Sequence, residues 1–229
     1  WTDSFKEVGQ TSALRNYNQN TFGAFLQANW KAKEWLNIEA GMRTDYVNDY
    51  GTAFLPRISA LFKISPKVTS RLGGGLGYKA PTIFTEDSER LQYKNVLPID
   101  SKTNILEKSY GANWDINYRT ALFNDEVSFS INHLFFLTHL ENPLQLVPKS
   151  GGNYQFINAS GSLESKGTET NVKLAYKDFK LFLGYTYTDA KLHQNNVHFA
   201  NPLTAKHRVN GVLMYEVEDK WKIGLEAYT

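Results

Sequence analysis

The chain has 229 residues, a formal net charge of +2 and no cysteine. Missing thiols exclude a disulfide scaffold and thiolate metal centres. Basic residues scattered singly argue against a nucleic-acid partner. Aromatic residues make up 14% of the chain, which favours β-structure and membrane interfaces, and no apolar run is long enough for a transmembrane helix.

Residues 1–20 are polar, aperiodic and read as loop or frayed strand. The chain starts at Trp1 with no signal peptide and reads as an internal portion of a longer protein. Phe22, Ala24, Leu26, Ala28 and Trp30 then form an apolar face, with Thr21, Gly23, Gln27 and Asn29 opposite. After the charged turn at 31–34, Leu36, Ile38, Ala40 and Met42 alternate with Asn37, Glu39, Arg43 and Asp45. The same parity returns in Ile58, Ala60, Phe62 and Ile64. Alternation of this length predicts β-strands. Ser65-Pro66-Lys67 is a tight turn, because Pro presets φ and gives no hydrogen bond to a ladder. Leu72, Gly74, Leu76 and Tyr78 continue the apolar face, and a long polar loop opens at Lys79-Ala80-Pro81.

Tyr110, Ala112, Trp114, Ile116 and Tyr118 resume the pattern after that loop. They are followed by a turn at Asn124-Asp125 and by Val127, Phe129, Ile131, His133 and Phe135. Residues 142–161 form a second long loop. Thr168, Thr170, Val172, Leu174 and Tyr176 form the next face, and Leu181, Leu183, Tyr185 and Tyr187 follow the turn at Lys177-Asp178. A third long loop spans 189–205 and holds His193, His198 and Phe199. Val209, Gly211, Leu213 and Tyr215, a turn at Glu218-Asp219, and Trp221, Ile223, Leu225 and Ala227 complete the chain. The reading is about ten strands in hairpins with short and long connections alternating, as in outer-membrane barrels.

Several motifs sit on this frame: Gly41-x-Arg43-x-Asp45, Pro56-Arg57, Gly77-Tyr78-Lys79-Ala80-Pro81 and Glu107-x-Ser109. In order and spacing they resemble the barrel half of TonB-dependent outer-membrane receptors. Gly167-Thr168-Glu169 resembles the opening of a late strand of that barrel, and Pro202 with His207 and Asn210 a further recurring pattern. Tyr78 and Lys79 depart conservatively from the family's Gly-Phe-Arg-Ala-Pro, and Leu106 replaces the Pro expected before Glu107. The resemblance covers most of the chain from Phe22 onward.

Alternation also fits a soluble β-sandwich. Three features favour a membrane wall. The strands are about 10 residues long, enough to cross a bilayer at a tilt. The named apolar faces carry no Lys, Arg, Asp or Glu, where Arg or Lys would cost about 2–4 kcal/mol at the midplane. Tyr and Trp often bound the apolar rows, at Trp30, Tyr78, Tyr118, Tyr176, Tyr187, Tyr215 and Trp221. The expected fold is therefore all-β: an antiparallel up-and-down transmembrane β-barrel segment over 21–229, with short periplasmic turns and long extracellular loops. The opposite face, with Glu39, Arg43, Asp45, Arg57, Arg71, Asp115, Glu169 and Lys173, is expected to line a lumen.

No catalytic constellation is present in the sequence. Gly73-Gly74-Gly75 lacks the Lys-Ser/Thr of a phosphate loop and is read as permitting strand bending. No nucleophile has a nominated base, and neither a cofactor nor a metal cluster is expected. Substrate contacts are expected in the three long loops, at Arg90, Tyr93, His193, His198 and Phe199. Arg43, Asp45, Pro56, Arg57, Ala80, Pro81, Glu107, Gly167, Glu169, Pro202 and His207 are structural motif positions under the resemblance.

The resemblance implies a Gram-negative outer-membrane receptor for TonB-energised uptake of a ferric siderophore, haem, cobalamin or glycan. Its implied partners are membrane lipid, a plug domain of the full-length protein, TonB through the missing N-terminal region, and a small-molecule or metal-chelate ligand. Two other readings stay open: a non-transporting adhesion or binding barrel, and a soluble glycan-binding sandwich. The first and last strands are expected not to close a barrel with each other.

Overall fold

The computed structural model describes residues 18–194, 197–201, 204–217 and 220–229. Most of the expected leading loop, the turn at Glu218-Asp219 and the motif residue Pro202 lie outside the described residues. The elements in chain order are β1 (Thr21–Lys33), β2 (Leu36–Val47), β3 (Gly51–Lys63), β4 (Val68–Lys79), α1 (Glu86–Arg90), β5 (Glu107–Leu122), β6 (Val127–Glu141), β7 (Leu144–Lys149), β8 (Asn153–Asn158), β9 (Gly161–Tyr176), β10 (Phe179–Gln194), β11 (Val197–Ala200), β12 (His207–Val217) and β13 (Trp221–Tyr228).

Ten of these strands form one antiparallel meander in the order β1-β2-β3-β4-β5-β6-β9-β10-β12-β13. The hairpin β7-β8 is a separate small sheet, and β11 pairs onto β10. Among the described residues β1 and β13 share no ladder, so the sheet is open, as expected. Among the described residues no second sheet packs on the apolar face, which overturns the sandwich reading: Leu26, Trp30, Ile58 and Leu225 are all exposed. Such residues on one contiguous face require an apolar solvent, not a protein core.

The apolar face keeps one parity across every ladder. One row reads Ala28, Ala40, Ile58, Gly74, Ala112 and Leu137, and then turns charged at Lys166 and Asp189. The apolar band thus runs obliquely across the register, as tilted strands of a barrel wall require. Aromatic pairs mark its lower edge: Trp35 stacks on Phe62, Tyr118 meets Phe129, and Tyr215 lies between Phe179 and Trp221. Tyr110 on His139 and Tyr187 beside His207 mark the upper edge, and Trp114 stacks on Phe135 within the band. Polar groups on this face are satisfied locally. Trp114 Nε1 donates to Ser70 Oγ at 2.9 Å, and His133 Nδ1 lies 2.8 Å from Thr170 Oγ1. That is what a face without water demands.

Candidate functional site

The site is built where the short turn after β2 and the first two long connections meet, at one end of the wall. β3 pairs with β4 only from Arg57↔Gly75 down to Lys63↔Thr69. Pro56 stands at the break, and it has no N–H to offer a ladder. Above it Gly51–Leu55 pair only with β2, and Leu76–Lys79 only with β5. Val47, Ala53 and Leu106 are buried in this region, and Tyr50, Leu55, Tyr78 and Ala80 pack against them.

Tyr78 is the departure from expectation here. Its parity in the sequence predicts the outward apolar face. Its ring instead turns into the split, and its hydroxyl donates to Asp45 Oδ2 at 2.9 Å. Asp45 is 1% exposed and also accepts from Arg43 Nε at 2.7 and 3.0 Å. Gly23 must be glycine at this spot, since a Cβ there would overlap the Asp45 carboxylate. Arg43, Asp45 and Tyr78, all motif positions, are thereby one cluster. Arg57 makes a separate ion pair with Glu39 on the neighbouring strand.

The first two long loops form one body. Ile83, Val96 and Phe156 are buried together, with Leu91, Ile99, Leu144, Leu146 and Tyr154 against them. Tyr154 N–H donates to Asn95 O, and Leu97 N–H to Tyr154 O, both at 2.8 Å. Asn104 Nδ2 donates to Phe156 O at 3.0 Å, and Asn158 both donates to Ile105 O and accepts from Ile105 N–H. α1 starts from Thr85, whose hydroxyl caps Ser88 N–H. Residues 80–106 and the β7-β8 hairpin are therefore a packed cap with a dry core. Motif residue Pro81 is fully buried beside Ile83, and Glu107 fastens the cap from below by accepting from Leu144 N–H at 2.8 Å.

Beneath the cap the polar face is concave. A groove of 720 Å³ is lined by Lys31, Asn37, Glu39, Arg57, Arg71 and Asn113 over a floor of Gly73, Gly75 and Gly111. A Cβ at Gly75 would lie 2.9 Å from Pro56 O and 3.0 Å from Arg57 Cβ, so the floor is bare because the neighbouring strand approaches closely. Further along, Glu169 accepts from Asn171 Nδ2 at 2.6 Å, and Phe136 covers Gly167.

The five expected ligand residues fall in two places. Arg90 is exposed at the end of α1, and Tyr93 follows it with its ring edge-on to Phe84 at 6.2 Å. His193, His198 and Phe199 lie on β10 and β11. The third connection is thus largely strand, not the loop expected from 189 onward. The outward positions here are charged on both strands: on β9 Lys166 donates to Glu164 at 2.9 Å, and on β10 Lys191 lies 2.9 Å from Asp189. These pairs stand beyond the apolar band, above Thr168 and Tyr187. There each lysine's hydrogen bond holds its carboxylate below the usual range. Phe199 pairs with Leu192 on the opposite, inner parity, whereas His193 and His198 face outward. His207 opens β12, with Nδ1 2.9 Å from Tyr185 Oη in the upper aromatic edge.

Several residues of the cap were missed from sequence: Ile83, Asn104, Phe156 and Asn158. Isolated apolar and Asn positions in aperiodic loops carry no period, and nothing local pairs 104 with 156. Among the described residues no group of three metal-ligating side chains is assembled.

The chain matches the family model described as TonB dependent receptor-like, beta-barrel, over residues 2–229. It is 24% identical over 78 residues to the iron-regulated outer membrane virulence protein of Vibrio cholerae, across 34% of this chain and 12% of that protein. Its fold is similar to the siderophore receptor PirA from Pseudomonas aeruginosa, at 16% identity, a TM-score of 0.67, and coverage of 92% of this chain and 37% of that one. The FrpB iron transporter from Neisseria meningitidis aligns at 14% identity and a TM-score of 0.64, over 92% of this chain and 32% of that one. The ferric enterobactin receptor PfeA from Pseudomonas aeruginosa aligns at 17% identity and a TM-score of 0.63, over 91% and 32%. This chain spans about a third of those solved chains, and at such identities the likeness is one of fold.

Proposed function

The chain belongs to the TonB-dependent receptor-like β-barrel family, and from that membership we propose that it is a wall segment of a receptor importing a ferric chelate. Membership places the strands in the outer membrane of a Gram-negative bacterium. The observation that carries the reading is the pairing of two features. One face is apolar and exposed along ten strands, and the other is polar and ends under a packed cap. A lipid-facing wall with a wet lumen and an extracellular cap is the geometry of a gated receptor, and loops positioned by a rigid scaffold are where ligands are read.

In this reading the ligand meets the cap first, at Arg90 and Tyr93, and Phe199 on the inner parity of β11. A plug domain of the full-length protein fills the lumen against the groove of Glu39, Arg57 and Arg71, and TonB acts on that plug from the periplasm. The ligand class is supported by the relatives, whose names speak of iron, siderophores and ferric enterobactin. A strain lacking the gene is the test, grown with single ferric siderophores, haem or cobalamin as supplements. Loss of growth on one ferric chelate, restored by the wild-type gene, is expected. Unimpaired growth on every iron source, with ligand binding undetectable in the purified receptor, would reject iron uptake.

A further inference from the structure

We propose that His193 and His198 form a two-imidazole site for a divalent transition-metal ion on the outward side of the β10-β11 hairpin. The two residues are register partners. Asn201 N–H donates to Ala190 O in the same ladder, so hydrogen-bonded pairs fall at 190↔201, 192↔199 and 194↔197. His193↔His198 is therefore a pair without backbone hydrogen bonds between its members, the kind whose side chains come closest across an antiparallel ladder.

The rings have closed on each other: their centroids are 4.4 Å apart with planes at 69°. Two imidazoles bound to one ion at metal–nitrogen distances of about 2.0–2.1 Å have ring centres roughly 4.5–5 Å apart. The ladder thus already holds the two rings close to that separation. His193 Nε2 is buried and has no hydrogen-bond partner. A buried ring nitrogen left unsatisfied is costly, and a metal ion relieves it. His198 is exposed, so an ion has an open approach from that side.

One carboxylate stands near the rings, paired with Lys166. Glu164 lies diagonally across from His193 on the same face, since its own register partner is Lys191 and His193 pairs with Ser162. Neutral imidazole suits zinc, copper and nickel ions. With two protein ligands, water completes the shell. The site stands beyond the apolar band and on the outer side of the wall, so it does not rest on the uptake reading.

The test is calorimetric titration of the full-length protein, purified in detergent without a histidine tag, with Zn²⁺ or Ni²⁺ alone. A site that weakens at least about tenfold in His193→Gln and in His198→Gln, and is lost in the double variant, is expected. His139→Gln, on the same face two strands away, is expected to leave it unchanged. Heat-dependent migration on gels checks that each variant barrel is folded. Equal metal affinity in the folded double variant, or no stoichiometric binding by the wild type, would overturn the proposal.

Discussion

The Glu107 carboxylate accepts a hydrogen bond from the Leu144 N–H at 2.8 Å, joining the first residue of β5 to the first residue of β7. Glu107 is 4% exposed, and its second oxygen is buried without a hydrogen bond, with Lys79 Nζ 3.9 Å away. The motif glutamate is thus a fastener between wall and cap. Glu107→Ala removes a hydrogen bond to a charged group, worth about 1.5–3 kcal/mol. The expected result is faster amide exchange through 144–158 with barrel unfolding in detergent little changed. Glu107→Gln, which keeps an acceptor, should lie between. Unchanged exchange in the alanine variant would show that the apolar core alone holds the cap.

Ile58 and Ser59 are adjacent, and they test which face meets lipid. Ile58 is 61% exposed on the apolar face, while Ser59 lies directly across from Glu39 on the polar face. Ile58→Arg places a charge in the apolar band at about 2–4 kcal/mol. It should sharply reduce the folded receptor recovered from outer membranes. Ser59→Lys puts its charge opposite a carboxylate in a wet groove and should leave recovery near wild type. Equal losses would sink the assignment of faces.

The strand frame was legible because a half-buried wall imposes a period of two, and the charges stayed off the apolar rows. Tyr78 was misplaced by the same rule. Its parity is outward, but the missing ladder above Pro56 frees that end of β4 to turn its ring inward, and parity holds only while a strand is paired on both sides. The 189–200 segment has the sequence signature of a loop because Asp189 and Lys191 break the apolar face. The backbone nevertheless continues as strand beyond the lipid, where charge is no obstacle. The cap core was illegible for a different reason. Ile83, Val96 and Phe156 are brought together by tertiary contact alone.

Phe156 is the residue on which that core depends most. It is 6% exposed, and its carbonyl accepts from Asn104 Nδ2. Phe156→Ala removes a buried ring, typically about 3–5 kcal/mol. The loss falls on the cap and not on the strand ladders. Limited proteolysis should therefore cut within 80–106 or 142–160 in the variant while the barrel strands stay intact. Cleavage no faster than in wild type would mean the two loops do not depend on a common core.

The Asp45 cluster predicts an asymmetry. Asp45 is 1% exposed, whereas the Arg43 side chain is 57% exposed. Removing either partner breaks the same ion pair, but the residues left behind differ. Arg43→Ala strands a buried carboxylate with only the Tyr78 hydroxyl donating to it. Stranding the enclosed carboxylate in this way costs stability, because it keeps its desolvation and loses its cation. Asp45→Ala deletes the buried charge itself, and the exposed guanidinium returns to water, so the loss should be smaller. Tyr78→Phe removes one hydrogen bond to the carboxylate, about 1.5–3 kcal/mol. If the cluster acts as a unit, Tyr78→Phe should cost much less in an Asp45→Ala background than alone. Urea unfolding of the four receptors in detergent gives the cycle. An Asp45→Ala loss as large as that of Arg43→Ala would mean that Asp45 contributes through packing in the split and not through its charge.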